Sequence, residues 1–211
     1  TLREGGDDWG RAHLTDALFD SIVRGRLEVE TNRFRPSVLF INGVYWGLYN
    51  LRDRWNDNWL FQHYGTNDGE YDRINLGNGA RADNGNTDDY NDLIRYLDGV
   101  DLNDPDVWAV IESRIDIISA VDFVIAEGYS RNSSWSGNRE IWRDHRPGGK
   151  WRYFIPDMDR TFGNTSFSRR MGQLMSGDQI IRRIQGSAEF KKLLAQRYAA
   201  HLVTTFDESR M

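Results

Sequence analysis

The stretch IISAVDFVIAEG, Ile117 to Gly128, most restricts what this chain can fold into. Apolar residues run around most of its helical circumference, so a helix here has no face to offer water and belongs inside a core. Asp116 stands just ahead of it as an N-cap, its carboxylate able to accept the first free amides. Other segments supply layers to cover this helix. RAHLTDALFDSIVRGR puts Leu14, Ala17, Leu18 and Ile22 on one helical face. RPSVLFINGVYWGLYNLRD reads as two strands joined at Asn42-Gly43, because both residues tolerate the positive φ of a tight hairpin turn. RWNDNWLFQHYG spaces Trp55, Trp59 and His63 four apart and stops at Gly65, which suits a helix C-cap. GNGARADNGNT, 77–87, reads as a surface loop, with Thr87 capping a helix through Leu97. Asp104-Pro105 starts another helix. A strand through Trp142, a turn at Pro147-Gly148-Gly149 and a return strand ending at Ile155 form a second hairpin. An amphipathic helix with Phe190, Leu193, Leu194 and Leu202 as its stripe closes the chain. The class is α+β, mostly helical, with two or more β-hairpins. Tyr45, Trp46 and Tyr49 on the first hairpin are expected to pack one face into the core, with a stacking platform for a planar ligand as the alternative.

Composition narrows the function. The 211 residues suffice for one sizeable domain. A net charge of −5 argues against nucleic acid as a general partner. The absence of cysteine removes disulfides, thiolate metal sites and cysteine nucleophiles. Four histidines, at 13, 63, 145 and 201, have no ligand spacing for zinc. No apolar run approaches the roughly 20 residues of a membrane span. The chain begins without methionine, and we read it as a piece of a longer protein.

One stretch raises a chemical question. KWRYFIPDMDRTFG carries an aromatic strand to Pro156 and then presents Asp157 and Asp159, two apart and therefore facing one side of an extended chain. Two carboxylates facing one space repel unless a cation or a proton intervenes. Mg²⁺ suits them, since it takes one or two protein oxygens and leaves room for phosphate and water. The alternative is a turn in which Asp157 caps the next segment and Asp159 pairs with Arg160 or another arginine. The loop RNSSWSGNRE lies at the same rim, which makes Asn138 a candidate oxygen ligand or phosphate contact, or else a turn residue. Asn132-Ser133-Ser134 matches a glycosylation sequon.

Three segments in order, LREGGDDWG, INGVYWGLYNLRDR and NREIWR…GKWRYFIPDMDRTFG, resemble the CotH kinase family, named for spore coat protein H. The resemblance implies a distant relative of protein kinases that transfers phosphate from ATP, with Mg²⁺ or Mn²⁺, to serine or threonine of a protein. It implies one domain over 1–211, with 1–52 as part of an N-terminal lobe and 53–211 as the mostly helical lobe carrying the metal-site hairpin. It gives Asp157 the role of the metal-binding aspartate, Asp159 that of the second acid of its motif, and Asn138 that of a catalytic-loop asparagine. Asp53 stands where the family has a glutamate that pairs with a lysine in the nucleotide site. Two positions depart from the pattern. The family's catalytic loop reads N-x-D-W-x-x-N-N, and here NSSWSGNR puts Ser134 at the catalytic aspartate and Arg139 at the second asparagine. Serine lacks the basicity to draw a proton from a hydroxyl. The only lysines are Lys150, Lys191 and Lys192, all late in the chain, so the phosphate-binding lysine and part of the N-terminal lobe are expected upstream of Thr1. A binding-only relative is the alternative function, and a nucleotide-sugar transferase using the D-x-D acids is a third. An extracellular or cell-surface location follows from the resemblance alone.

Overall fold

A computed structural model of the chain describes residues 1–207 and 209. Among them are eight α-helices and two small antiparallel sheets. The core forms around α5, Ile117–Ser130, of which only Ile118 and Tyr129 escape full burial. Asp116 caps it by accepting from the Ser119 amide at 3.0 Å, and Arg131 ends it in the left-handed region. Around α5 pack β7 (Arg152–Phe154), α6 (Phe167–Gly177) and α8 (Ala188–Leu202). Phe123 of α5 stacks on Tyr153 of β7 at 4.5 Å between ring centroids.

The larger sheet has the order β5-β4-β6-β7, with β4 Tyr71–Asn75, β5 Arg81–Asn84 and β6 Glu140–Asp144. The β6–β7 hairpin pairs Ile141 with Tyr153, as its alternating pattern predicts. Strand β5 falls inside the segment expected to be loop. Helix α2, Asp57–Tyr64, is capped by Asn56 and ends at Gly65 with φ +67°, the C-cap that the sequence signals. Helices α3 (Asp88–Leu97) and α4 (Pro105–Arg114) start at Thr87 and Asp104. The Thr87 side chain makes no cap bond, whereas that of Asp104 accepts from the Asp106 amide. Helix α6 and the short α7, Gln179–Ile184, were not expected.

The smaller sheet has the order β1-β3-β2, with β1 Leu2–Arg3, β2 Phe34–Ile41 and β3 Val44–Arg52. Asn42 and Gly43, at φ +51° and +78°, make the turn of the hairpin. The expectation that its aromatics fill the core is corrected here. Trp46 is 59% exposed and Tyr45 57%, with Val38, Phe40, Val44 and Leu48 likewise open to solvent and Tyr49 half-buried. Beside β3, β1 reaches only Asn50 and Leu51, so the tip of the hairpin has no strand paired beyond its own two. Helix α1, Thr15–Val23, joins this sheet to the main body by burying Asp16, Ala17, Phe19, Asp20 and Val23.

Candidate functional site

The acidic segment is shaped by what precedes it. Strand β7 is held on its free side by Glu30, whose amide donates to Tyr153 O at 3.0 Å and whose carbonyl accepts from Ile155 at 3.1 Å. Pro156 has no N–H and ends the ladder. The chain then enters a turn at Asp159, and Met158 is fully buried while Asp157 and Asp159 both reach Arg3. The two acids therefore share one space, as the sequence predicts.

The cation between them is a guanidinium. Arg3 Nη2 donates to Asp157 Oδ1 at 2.8 Å and to Asp159 Oδ2 at 3.1 Å, and Nη1 lies 3.6 Å from Asp16 Oδ2. Asp159 Oδ2 also accepts from the Asp7 amide at 2.8 Å. That approach needs Gly6: at φ +57° a Cβ would fall 2.2 Å from Asp159 Oδ2. The other oxygen, Asp159 Oδ1, is buried with no hydrogen-bond partner. Of the two sequence alternatives for Asp159, pairing with an arginine is realised, but with Arg3 rather than Arg160, which pairs with Asp7 at 3.4 Å.

Asp157 keeps its second oxygen for the catalytic-loop segment. Asn138 Nδ2 donates to Asp157 Oδ2 at 3.3 Å, so these two predicted residues meet. Asn132 braces both strands of the rim. Its Nδ2 donates to Asp157 O at 2.9 Å, and its Oδ1 accepts from the Ser134 amide and hydroxyl, each at 3.0 Å. Asn132 is 0% exposed and bonded at both ends, so the sequon is closed to glycosylation in this fold. Arg139, at the position of the family's second asparagine, is turned away to Leu76 O, Gly177 O and Asp178.

Behind the pair runs a chain of charge that the sequence did not reveal. Arg52 binds Asp16 and, through Nη2, Asp20 Oδ2 at 2.5 Å. Four carboxylates (Asp16, Asp20, Asp157, Asp159) thus share two guanidinium groups, Arg3 and Arg52. The imbalance raises proton affinity. Burial, with Asp159 and Asp16 adding to it, pushes Asp157 up to about 6 even though Arg3 opposes the shift. Burial and Asp16 likewise push Asp20 well above the carboxylate range. Beneath the loop, Glu127 is wholly buried with both oxygens unpartnered, and burial raises it to about 8, with Asp157 adding to the rise and Asn132 and Arg170 offsetting part of it.

Asp53 does not join this group. It accepts from Arg33 Nε at 3.1 Å and from the Arg33 amide at 3.2 Å, so its partner is an exposed arginine rather than a lysine. It lines a cavity of about 550 Å³ with Asn32, Trp55, Tyr71, Arg73 and Pro156, the residue before Asp157. In that wall Asn32 Oδ1 and Trp55 Nε1 are buried and unpartnered. The lysines stay elsewhere: Lys191 bonds Gly186 O and Lys192 pairs with Glu189.

No cluster of three or more histidine or carboxylate side chains with the geometry to hold a metal occurs among the described residues. The donor set at the acidic loop is smaller: Asp157 Oδ2, Asn138 and the orphan Asp159 Oδ1. Too few oxygens converge to hold a bare ion. Magnesium that arrives with phosphate oxygens and keeps its waters asks the protein for only one or two oxygens, and Asp157 Oδ2, which here accepts from Asn138 Nδ2, is the one open to that use. No described helix is long and apolar enough to cross a membrane.

No curated protein matches the chain. The family model described as CotH kinase protein matches residues 2–211. By that match over nearly its whole length, the chain belongs to the CotH kinase family.

Proposed function

We propose that the chain binds a magnesium nucleotide and transfers its terminal phosphoryl group to a serine or threonine hydroxyl of a protein. The observation that carries this reading is the division of Asp157: one oxygen is engaged by Arg3, and the other accepts from Asn138 beside a surplus of carboxylates. Asp157 and Asn138 would hold the ion, with Asp159 shaping the loop through Arg3 and the Asp7 amide. Magnesium, when bound, neutralises charge on the phosphate oxygens. The adjoining cavity, lined by Trp55, Tyr71 and Pro156 next to Asp157, is the space a nucleobase would take.

The chain's own residues here bind and orient. The Ser134 hydroxyl gives its proton to Asn132 Oδ1 and offers no base to the acceptor. Phosphoryl transfer leans on positioning and electrostatics, so slow turnover is compatible with this loop. The same serine supports a second reading, a relative that binds nucleotide without transferring phosphate. Labelled ATP with Mg²⁺ and a protein acceptor tests the two. Transfer that disappears in Asp157→Asn establishes the kinase; nucleotide binding without any transfer establishes the second reading.

A further inference from the structure

We propose that Arg3 is the phosphate-gripping cation of the nucleotide site, held between Asp16, Asp157 and Asp159 until phosphate replaces the acids. The inference rests on the nucleotide reading above and assigns a residue to work that the sequence left to a lysine outside the chain.

Arg3 is placed for it by topology. Strand β1 lies against β3 on the side away from β2, and its second residue reaches across to the acidic loop, 154 positions later in the chain. Kinases set their phosphate-binding lysine on a strand of the small lobe and pair it with an acid on the neighbouring helix. Arg3 has that relation to Asp16 of α1, at 3.6 Å, and among the described basic residues it alone bridges α1 and Asp157.

The hydrogen bonding leaves the guanidinium available. Among the described residues only Nη2 donates, to both Asp157 and Asp159, while Nη1 lies 3.6 Å from Asp16 and Nε makes no hydrogen bond. A planar guanidinium fork matches phosphate oxygens, which it can bind in bidentate fashion. The side chain remains 31% exposed, so a ligand beside Asp157 reaches it without unfolding β1. Arg52, the other guanidinium of the cluster, is closed off at 4% exposure between Asp16 and Asp20. Asp16 is itself fixed, by Arg52 and by the Met158 amide at 3.0 Å, so it holds the near end of Arg3 in place while the far end changes partner.

Equilibrium binding of Mg·ADP and of adenosine to the wild type, Arg3→Lys and Arg3→Ala tests the assignment. Loss of a charge-assisted phosphate contact should weaken ADP about 10- to 100-fold in Arg3→Ala while adenosine is unchanged. Arg3→Lys should recover part of the ADP affinity, because it restores the charge without the fork. If Arg3→Ala fails to fold, Arg3→Lys decides alone: a several-fold loss confined to ADP supports the proposal. An equal loss of ADP and adenosine, or none for ADP, overturns it and leaves Arg3 as a neutraliser of the acids. Wild-type protein that binds neither ligand overturns the nucleotide reading as well.

Discussion

The Met158 amide donates to Asp16 Oδ1 at 3.0 Å, tying the backbone of the acidic loop to helix α1. The other Asp16 oxygen faces Arg52 and Arg3. One carboxylate thus links the small sheet, the first helix and the Asp157 segment. Moving α1 therefore moves both the acids and the arginine that faces them.

Asp16→Ala leaves Arg52 buried with one partner fewer and orphans the Met158 amide. A broken buried pair of this kind is expected to cost about 3–5 kcal/mol, read from urea unfolding. Asp16→Asn keeps an acceptor for Met158 and should lose less. A loss below about 1 kcal/mol in Asp16→Ala would place this cluster with weakly coupled surface pairs.

Asp157→Asn separates chemistry from folding. Burial and the facing Asp159 already disfavour the charge at this position, and an asparagine oxygen can still accept from Arg3. Thermal melting at neutral pH should stay level or rise. Phosphoryl transfer should fall about 100-fold or more, since the substitution removes the anionic oxygen beside Asn138. A fall in activity matched by a fall in melting temperature would assign Asp157 to stability instead.

Ser134→Asp puts a carboxylate where the Ser134 hydroxyl now bonds Asn132. With a general base restored, transfer to a protein hydroxyl should rise about tenfold or more, measured with labelled ATP. An unchanged rate would mean that the acceptor hydroxyl is not delivered to this side of Asn132.

Local chemistry made much of this fold readable. Asn42-Gly43, Gly65, Asp104-Pro105 and Asp116 each act through their own backbone neighbours, and each sits where its residue type predicts. Helix α6 carries Phe167, Met171, Leu174 and Met175 at i, i+4, i+7 and i+8, a stripe that the reading of the sequence passed over. Helix α7 is six residues long, and its Asp178 cap was the one available signal. In the site, the spacing of Asp157 and Asp159 and the loop position of Asn138 were legible. Arg3, Asp16 and Arg52 were not, because their ion pairs join separate elements, up to 156 residues apart, and leave no trace in local pattern.

The exposed hairpin shows a different limit. Alternation states which residues share a face, and it cannot state whether another layer covers that face. Trp46→Ser and Tyr45→Ser should each change unfolding free energy by less than about 0.5 kcal/mol, as surface substitutions do. A loss of about 3 kcal/mol or more, typical of a buried aromatic, would show that these rings are covered in the intact protein.

Glu127 gives the clearest pH signature. Its carboxyl, raised by burial to about 8 in the fold, ionises near the ordinary glutamate value of 4.5 in the unfolded chain. Between those values the folded state holds a proton that the unfolded state has released, so stability falls as pH rises, by at most about 1.4 kcal/mol for every pH unit crossed. The penalty is absent below pH 4.5 and complete above pH 8. Glu127→Gln has the shape of the protonated acid and no proton to lose. Wild type and variant should therefore match near pH 5 and diverge toward pH 8, with the variant the more stable. Asp157 titrates in both proteins, so the difference between their unfolding curves isolates Glu127. A constant difference from pH 5 to pH 8 would mean that Glu127 is ionised throughout and held by Arg170, whose own charge burial disfavours and Glu127 supports.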